Sequence, residues 1–195
     1  GDGLRAFAVA RAAFDASGLP TVYEALVRPA LYEVGERWLR NEVSVAREHL
    51  ATATAQSAVA ALYATMPWPS PGPASAIVCC VGRERHELGA RMVSDLLALD
   101  GWRTSFLGAD TPTTSLCDLA GHLRPTLVAL SVTAPFHLAE VVEAVPALRA
   151  ACPGVKIVIG GQAILPLANP AGCLGADACA GSALEAVERV RPWRT

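Results

Sequence analysis

The chain has 195 residues, 52% of them apolar, and a formal net charge of −2. That length can bury the core of one medium domain or two small ones, and the near-neutral charge lacks the basic field a phosphate backbone needs, so direct nucleic-acid binding by this chain is not expected. No apolar run approaches the roughly 20 residues that span a bilayer, and Gly1-Asp2-Gly3 lacks the basic start and apolar centre of a signal peptide, so a soluble, cytoplasmic protein without a membrane partner is expected.

Residues 1–66 read as helix, with apolar side chains at three and four spacing: Leu4, Phe7, Ala8 and Phe14, then Val22, Leu26, Ala30, Val34 and Trp38. Breaks are expected at Ser17-Gly18-Leu19-Pro20, at Arg28-Pro29 and at Asn41, with Ser44 capping a last helix from Val45 to about Ala64. The pattern predicts a four-helix bundle. Proline occupies every second position from Pro67 to Pro73, which neither helix nor strand tolerates, and residues 67–75 are expected to form a linker.

From residue 76 to 195 the pattern changes to short β-rich runs alternating with helices. Strands are predicted at Ala76–Val81, Thr104–Leu107, Leu127–Val132 and Lys156–Ile159, with a weak one at Ala176–Ala180. Helices are predicted over Leu88–Leu99, Thr113–Leu123, Leu138–Ala150 and Ala183–Arg191, with an irregular piece after Ile164. Such alternation predicts an α/β domain: a flavodoxin-like, doubly wound, parallel five-stranded sheet. The six cysteines (Cys79, Cys80, Cys117, Cys152, Cys173, Cys179) form no C-x-x-C pair and read as reduced apolar filler.

Ligands of open α/β sheets bind outside the carboxyl ends of the strands. There the sequence places Glu84-x-His86-x-x-Gly89 after the first strand, Ser131-Val132-Thr133 at the end of the third and Gly160-Gly161 at the end of the fourth. Singly these are weak signals, since a loop histidine is usually solvated and Gly-Gly is usually a turn. Together, in this order and spacing, they resemble the cobalamin-binding domain of base-off, histidine-on corrinoid proteins.

The resemblance implies that His86 is the lower axial ligand of cobalt and that Glu84 is the carboxylate receiving its other ring N–H, as metal-bound histidines commonly require. It also implies that Gly89, Ser131, Gly160 and Gly161 make room for the displaced nucleotide tail, with Ser131 or Thr133 hydrogen-bonding it. Aspartate is commoner in the family at position 84.

The helical region carries Trp38 and, after nine intervening residues, Glu48-His49. This resembles the helical cap of cobalamin-dependent photoreceptors, both light-responsive regulators and their stand-alone relatives. The resemblance implies that Trp38 shields the upper axial group and that Glu48 and His49 lie against it. In some members a histidine follows the tryptophan and captures cobalt after illumination; here that residue is Leu39, which cannot ligate a metal. Another residue such as His49, or water, would have to do so. His122 is expected at a helix end and His137 in the loop after Ser131, near the cofactor edge.

The expected function is therefore a photoreceptor module binding cobalamin, adenosylcobalamin first among its forms, whose light-driven loss of the upper ligand changes conformation or assembly in a homo-oligomer. A noncovalently held bilin is kept open as a second chromophore. The alternative is a corrinoid methyl-carrier protein of a methyltransferase system, and a third reading is a flavodoxin-like interaction domain without corrin. The chain shows no helix-turn-helix, so any effect on transcription would pass through a regulatory or signalling protein, or through a part of the gene product outside this sequence.

Overall fold

A computed structural model describes residues 2–194. The chain divides into two units, one ending at Pro67 and one beginning at Trp68.

The first unit is helical. Helix α1 (Gly3–Thr21) starts with the Asp2 carboxylate accepting the Arg5 N–H, and is kinked at Gly18, whose φ of 78° only glycine adopts readily. A wider π-helical turn over Val22–Val27 then leads directly into α2 (Arg28–Leu39). The break expected at Arg28-Pro29 is therefore absent. Proline cannot donate to the preceding turn, and the chain widens so that the Arg28 N–H bonds the Tyr23 carbonyl, five residues back, without leaving the helical path. Helix α3 (Val45–Tyr63) is capped by Ser44, as expected. Helix α3 packs against α1 and α2. The most deeply buried residues of this unit are Leu19, Val22, Tyr23, Val59 and Leu62, whereas α2 buries none of its residues fully.

The proline-rich stretch before Ser75 has no regular structure. Its end is pinned: the Gly72 N–H reaches the Gly101 carbonyl at 2.8 Å and the Pro73 carbonyl accepts from Arg103.

The second unit runs β1 (Ser75–Cys80), α4 (Leu88–Leu99), β2 (Arg103–Gly108), α5 (Thr113–Leu123), β3 (Leu127–Ser131), α6 (Leu138–Ala151), β4 (Lys156–Gly160), α7 (Pro170–Leu174), β5 (Ala178–Ala180) and α8 (Ala183–Val190). All strand pairs are parallel and the sheet order is β2-β1-β3-β4-β5, the flavodoxin-like order expected. The piece after Ile164 resolves into the short α7, capped by Asn169.

Strands covered on both faces read as continuous apolar runs, which is why Leu127–Leu130 and Ile157–Ile159 were legible. On one face Ile77, Cys79, Val128, Leu130, Ile157 and Ile159 pack beneath α5 and α6. Helices α4 and α8 pack on each other and on the sheet.

Candidate functional site

In this strand order the chain reverses direction across the sheet between β1 and β3, so the loops leaving those two strands diverge and open a crevice at the carboxyl edge. Glu84 and His86 lie in the β1 loop; Thr133, Ala134 and His137 lie in the β3 loop. The structure joins the two loops through one carboxylate.

Glu84 is fully buried. Its Oε1 accepts the His86 backbone N–H at 3.0 Å and faces His86 Nδ1 at 2.5 Å. Its Oε2 accepts the Thr133 N–H at 2.8 Å and the Ala134 N–H at 2.9 Å. Burial by itself would raise the carboxyl pKa, but the hydrogen bonds from the His86 ring and from the Ala134, His86 and Thr133 N–H groups outweigh it and hold Glu84 well below the usual carboxylate range. Glu84 is therefore an anion at neutral pH, and the His86 proton is held on Nδ1. Nε2 is the ring nitrogen with a lone pair for a metal, on a side chain 65% exposed.

The loop is shaped for this placement. Arg83 adopts a left-handed φ of 66° and its N–H reaches the Asp110 carboxylate at 2.6 Å, while the Glu84 carbonyl accepts the Asp110 N–H at 2.8 Å. The segment after β2 thus braces the histidine loop from the other side. Sequence reasoning missed Asp110 because it lies 27 positions from Arg83 and has no motif of its own.

The residues expected to make room for a nucleotide tail fall into a pattern. Cys80 lies opposite Ser131, Ser131 opposite Gly160, and Gly160 opposite Ala180. In-register residues of a parallel sheet share a face, and the preceding residues Cys79, Leu130 and Ile159 point into the α5/α6 core, so this row of small side chains faces α4 and α8. Gly89 sits in the first turn of α4, where an added Cβ would meet nothing within 4 Å. Cys80 and Ala180 complete the row and were not picked out from sequence, because only the register reveals them.

Gly161 differs. A Cβ there would lie 2.0 Å from the Val132 carbonyl oxygen, and its φ is 110°, so the close approach of the β3 and β4 loops itself demands glycine. Thr133 contributes its backbone N–H to Glu84.

In the helical unit, Trp38 is 43% exposed near the end of α2 and Leu39 is 66% exposed. Glu48 and His49 lie together in the first turn of α3, with His49 Nδ1 2.5 Å from one Glu48 oxygen and the Thr52 hydroxyl donating to the other at 2.8 Å. His122 lies in the last turn of α5 against the Asp118 carbonyl.

Two observations test whether these residues fit a corrinoid. His86 is oriented by a buried anion, as a metal-bound imidazole requires. A row of small side chains with an open glycine lies on the same unit. The residues fit.

Comparison with known proteins points the same way. A family model described as a B12 binding domain matches residues 74–191, and a second model with that description matches residues 1–63. The chain is 38% identical over 136 residues to the HTH-type transcriptional repressor CarA of Myxococcus xanthus, covering 68% of this chain and 44% of that protein. It is 29% identical over 142 residues to the HTH-type transcriptional repressor CarH of the same organism, covering 72% and 47%. The chain thus spans about half the length of the curated relatives it matches.

A solved structure of a monomethylamine corrinoid protein from Methanosarcina barkeri shares the fold, with a TM-score of 0.81 at 18% identity over 93% of this chain and 87% of that one. The matches bear on the corrinoid alone and lend nothing to a bilin. No helix among the described residues is long and apolar enough to cross a membrane. With both halves of the sequence matched by such models, the chain belongs to the family of B12 binding domains.

Proposed function

We propose that this chain is a cobalamin-binding photoreceptor module in which light-driven loss of the cofactor's upper ligand changes conformation or assembly. The observation that carries the reading is the helical unit's own motif: Trp38 displayed near the end of α2, with Glu48 and His49 paired at the start of α3. A broad exposed indole suits occlusion of a bulky upper group, whereas a methyl carrier must leave that face open to its partner enzymes. The similarity to two transcriptional repressors supports a regulatory role. The likeness to the monomethylamine corrinoid protein is one of fold and does not separate the two readings.

In this reading His86 offers Nε2 as the lower ligand, Glu84 holds the opposite ring proton, and the row from Cys80 to Ala180, with Gly89, Ser131 and Gly160, receives the nucleotide tail. Trp38, Glu48 and His49 serve the upper face. When bound, adenosylcobalamin supplies a cobalt–carbon bond that visible light breaks. The output is a change in the assembly of a homo-oligomer, passed to a regulatory protein.

The test is an absorption spectrum and an elution volume, both taken in the dark with adenosylcobalamin and again after green light. Changes in both support the photoreceptor. A bound corrin with no light-linked change in assembly favours the methyl carrier, and no bound corrin overturns the reading. His86→Ala is expected to shift the bound corrin toward the spectrum lacking a lower nitrogen ligand; an unchanged spectrum removes His86 from cobalt.

A further inference from the structure

Three stretches of the α/β unit that are far apart in sequence meet at the amino edge of the sheet, the end remote from Glu84 and His86. They are the end of the proline-rich stretch, the turn between α4 and β2, and a tight turn over Arg191–Trp193 that follows α8. Asp100 closes α4 and receives the last of the three. Its carboxylate takes Arg191 through Nε at 3.1 Å and Nη2 at 3.0 Å. Its carbonyl accepts from Arg194, whose guanidinium also lies 3.7 Å from the carboxylate. Two arginines thus hold both the side chain and the main chain of one residue.

The next residue receives the linker. The Gly101 carbonyl accepts the Gly72 N–H at 2.8 Å, and a Cβ on Gly72 would lie 3.3 Å from that oxygen. Gly101 itself has a φ of 88°, and a Cβ there would lie 3.0 Å from Arg194 Nη1. The linker and Arg194 therefore close on the same residue, in a conformation that favours glycine. Trp193 is fastened as well: Lys156 Nζ lies 5.5 Å from its ring centroid, within cation–π reach, and 3.2 Å from Asp177.

Proline has no N–H, so from Pro67 to Pro73 the backbone donors are those of Trp68, Ser70 and Gly72 alone. Pro71 and Pro73 flank Gly72 and hold φ at about −65°, so pinning Gly72 sets the direction of a short stiff run.

We propose that the segment following α8 is a strap: by gripping Asp100 through Arg191 and Arg194 it holds the α4–β2 turn in the shape that receives Gly72, and so fixes the point at which the linker to the helical unit leaves the sheet. The arginines act on the linker through that turn. The inference is independent of the corrinoid reading and of any bound cofactor.

The experiment follows hydrogen exchange of the Gly72 amide by nitrogen-15 NMR in the full chain, with the Val128 amide of β3 as the internal reference. Exposed ion pairs are individually weak, so removing two at once is expected to give a measurable local opening. Arg191→Ala combined with Arg194→Ala is expected to speed Gly72 exchange by about 10-fold while Val128 keeps its wild-type rate. Arg189→Ala, which removes an exposed pair with Glu185 inside α8, is expected to change neither. Wild-type exchange at Gly72 in the double variant overturns the strap. So does an equal acceleration of Gly72 and Val128, which would make the segment a support of the whole unit rather than of the linker.

If the double variant does not fold, salt makes the test on the wild-type chain. At about 1 M salt the screening length falls to about 3 Å, and the ratio of Gly72 to Val128 exchange is expected to rise. A ratio that does not respond to salt overturns the proposal.

Discussion

In the α/β unit the ligand loop is held from three directions, with five groups converging on Glu84 and Asp110 bracing Arg83, so that His86 is oriented before anything binds. In the helical unit the residues of interest hang on the surface: Trp38 and Leu39 are exposed, His49 is 74% exposed as a side chain, and α2 buries nothing fully. One unit holds a histidine in a fixed orientation through a buried carboxylate. The other displays apolar and polar groups that its own core does not bury.

The largest effect that sharpens this contrast is expected at Glu84. Glu84→Ala leaves the Thr133 and Ala134 N–H groups without their acceptor in a buried site, at a cost of about 4 kcal/mol. Urea unfolding checks it, and a loss below about 1 kcal/mol would break the claim that the loop is over-determined. Gly161→Ala comes next, because its Cβ meets the Val132 carbonyl and its φ is unfavourable; about 3 kcal/mol is expected, a fall in Tm of about 8 °C. A melting point within about 2 °C of wild type would show that the two loops part easily.

A smaller effect, and one with a pH signature, is expected at Asp177. Burial alone would raise this carboxyl, but the Ile157 N–H, Arg149 and Lys156 outweigh it and hold it below its ordinary value. A depressed folded pKa stabilises above the unfolded value, near 3.9, and the contribution is lost as pH falls through the folded value. Asp177→Asn is expected to cost about 1.5 kcal/mol at neutral pH, with the gap to wild type closing as the solution is acidified. Denaturation midpoints measured from neutral to acid pH check this, and parallel curves would remove Asp177 from the acid response.

Trp38→Ala should change stability least, by about 1 kcal/mol or less, since the indole is already largely in water. Its expected effect is functional: cofactor is retained but the light-linked change in elution volume is altered. Full retention of that change would remove the main support for the photoreceptor.

Sequence reasoning determined the class of each half and the local part of the site. The helical period, the Pro-rich interruption and the apolar strand runs follow from near-neighbour sterics and burial, which act within a few residues. Glu84 and His86 are legible for the same reason: two positions apart in one loop, they can meet whatever the rest of the chain does. The widened turn that carries α2 past Pro29 was not legible, because proline removes a donor but does not dictate whether the helix stops or expands.

What only the tertiary structure decided lies between residues far apart in sequence. His137 reaches Glu84 across 53 positions because β3 is laid beside β1, and Cys80, Ser131, Gly160 and Ala180 form one row because four strands share a register. Gly161 is required by the Val132 backbone that the same pairing brings against it. Strand order and register are set by packing summed over the whole sheet, so no local pattern contains them.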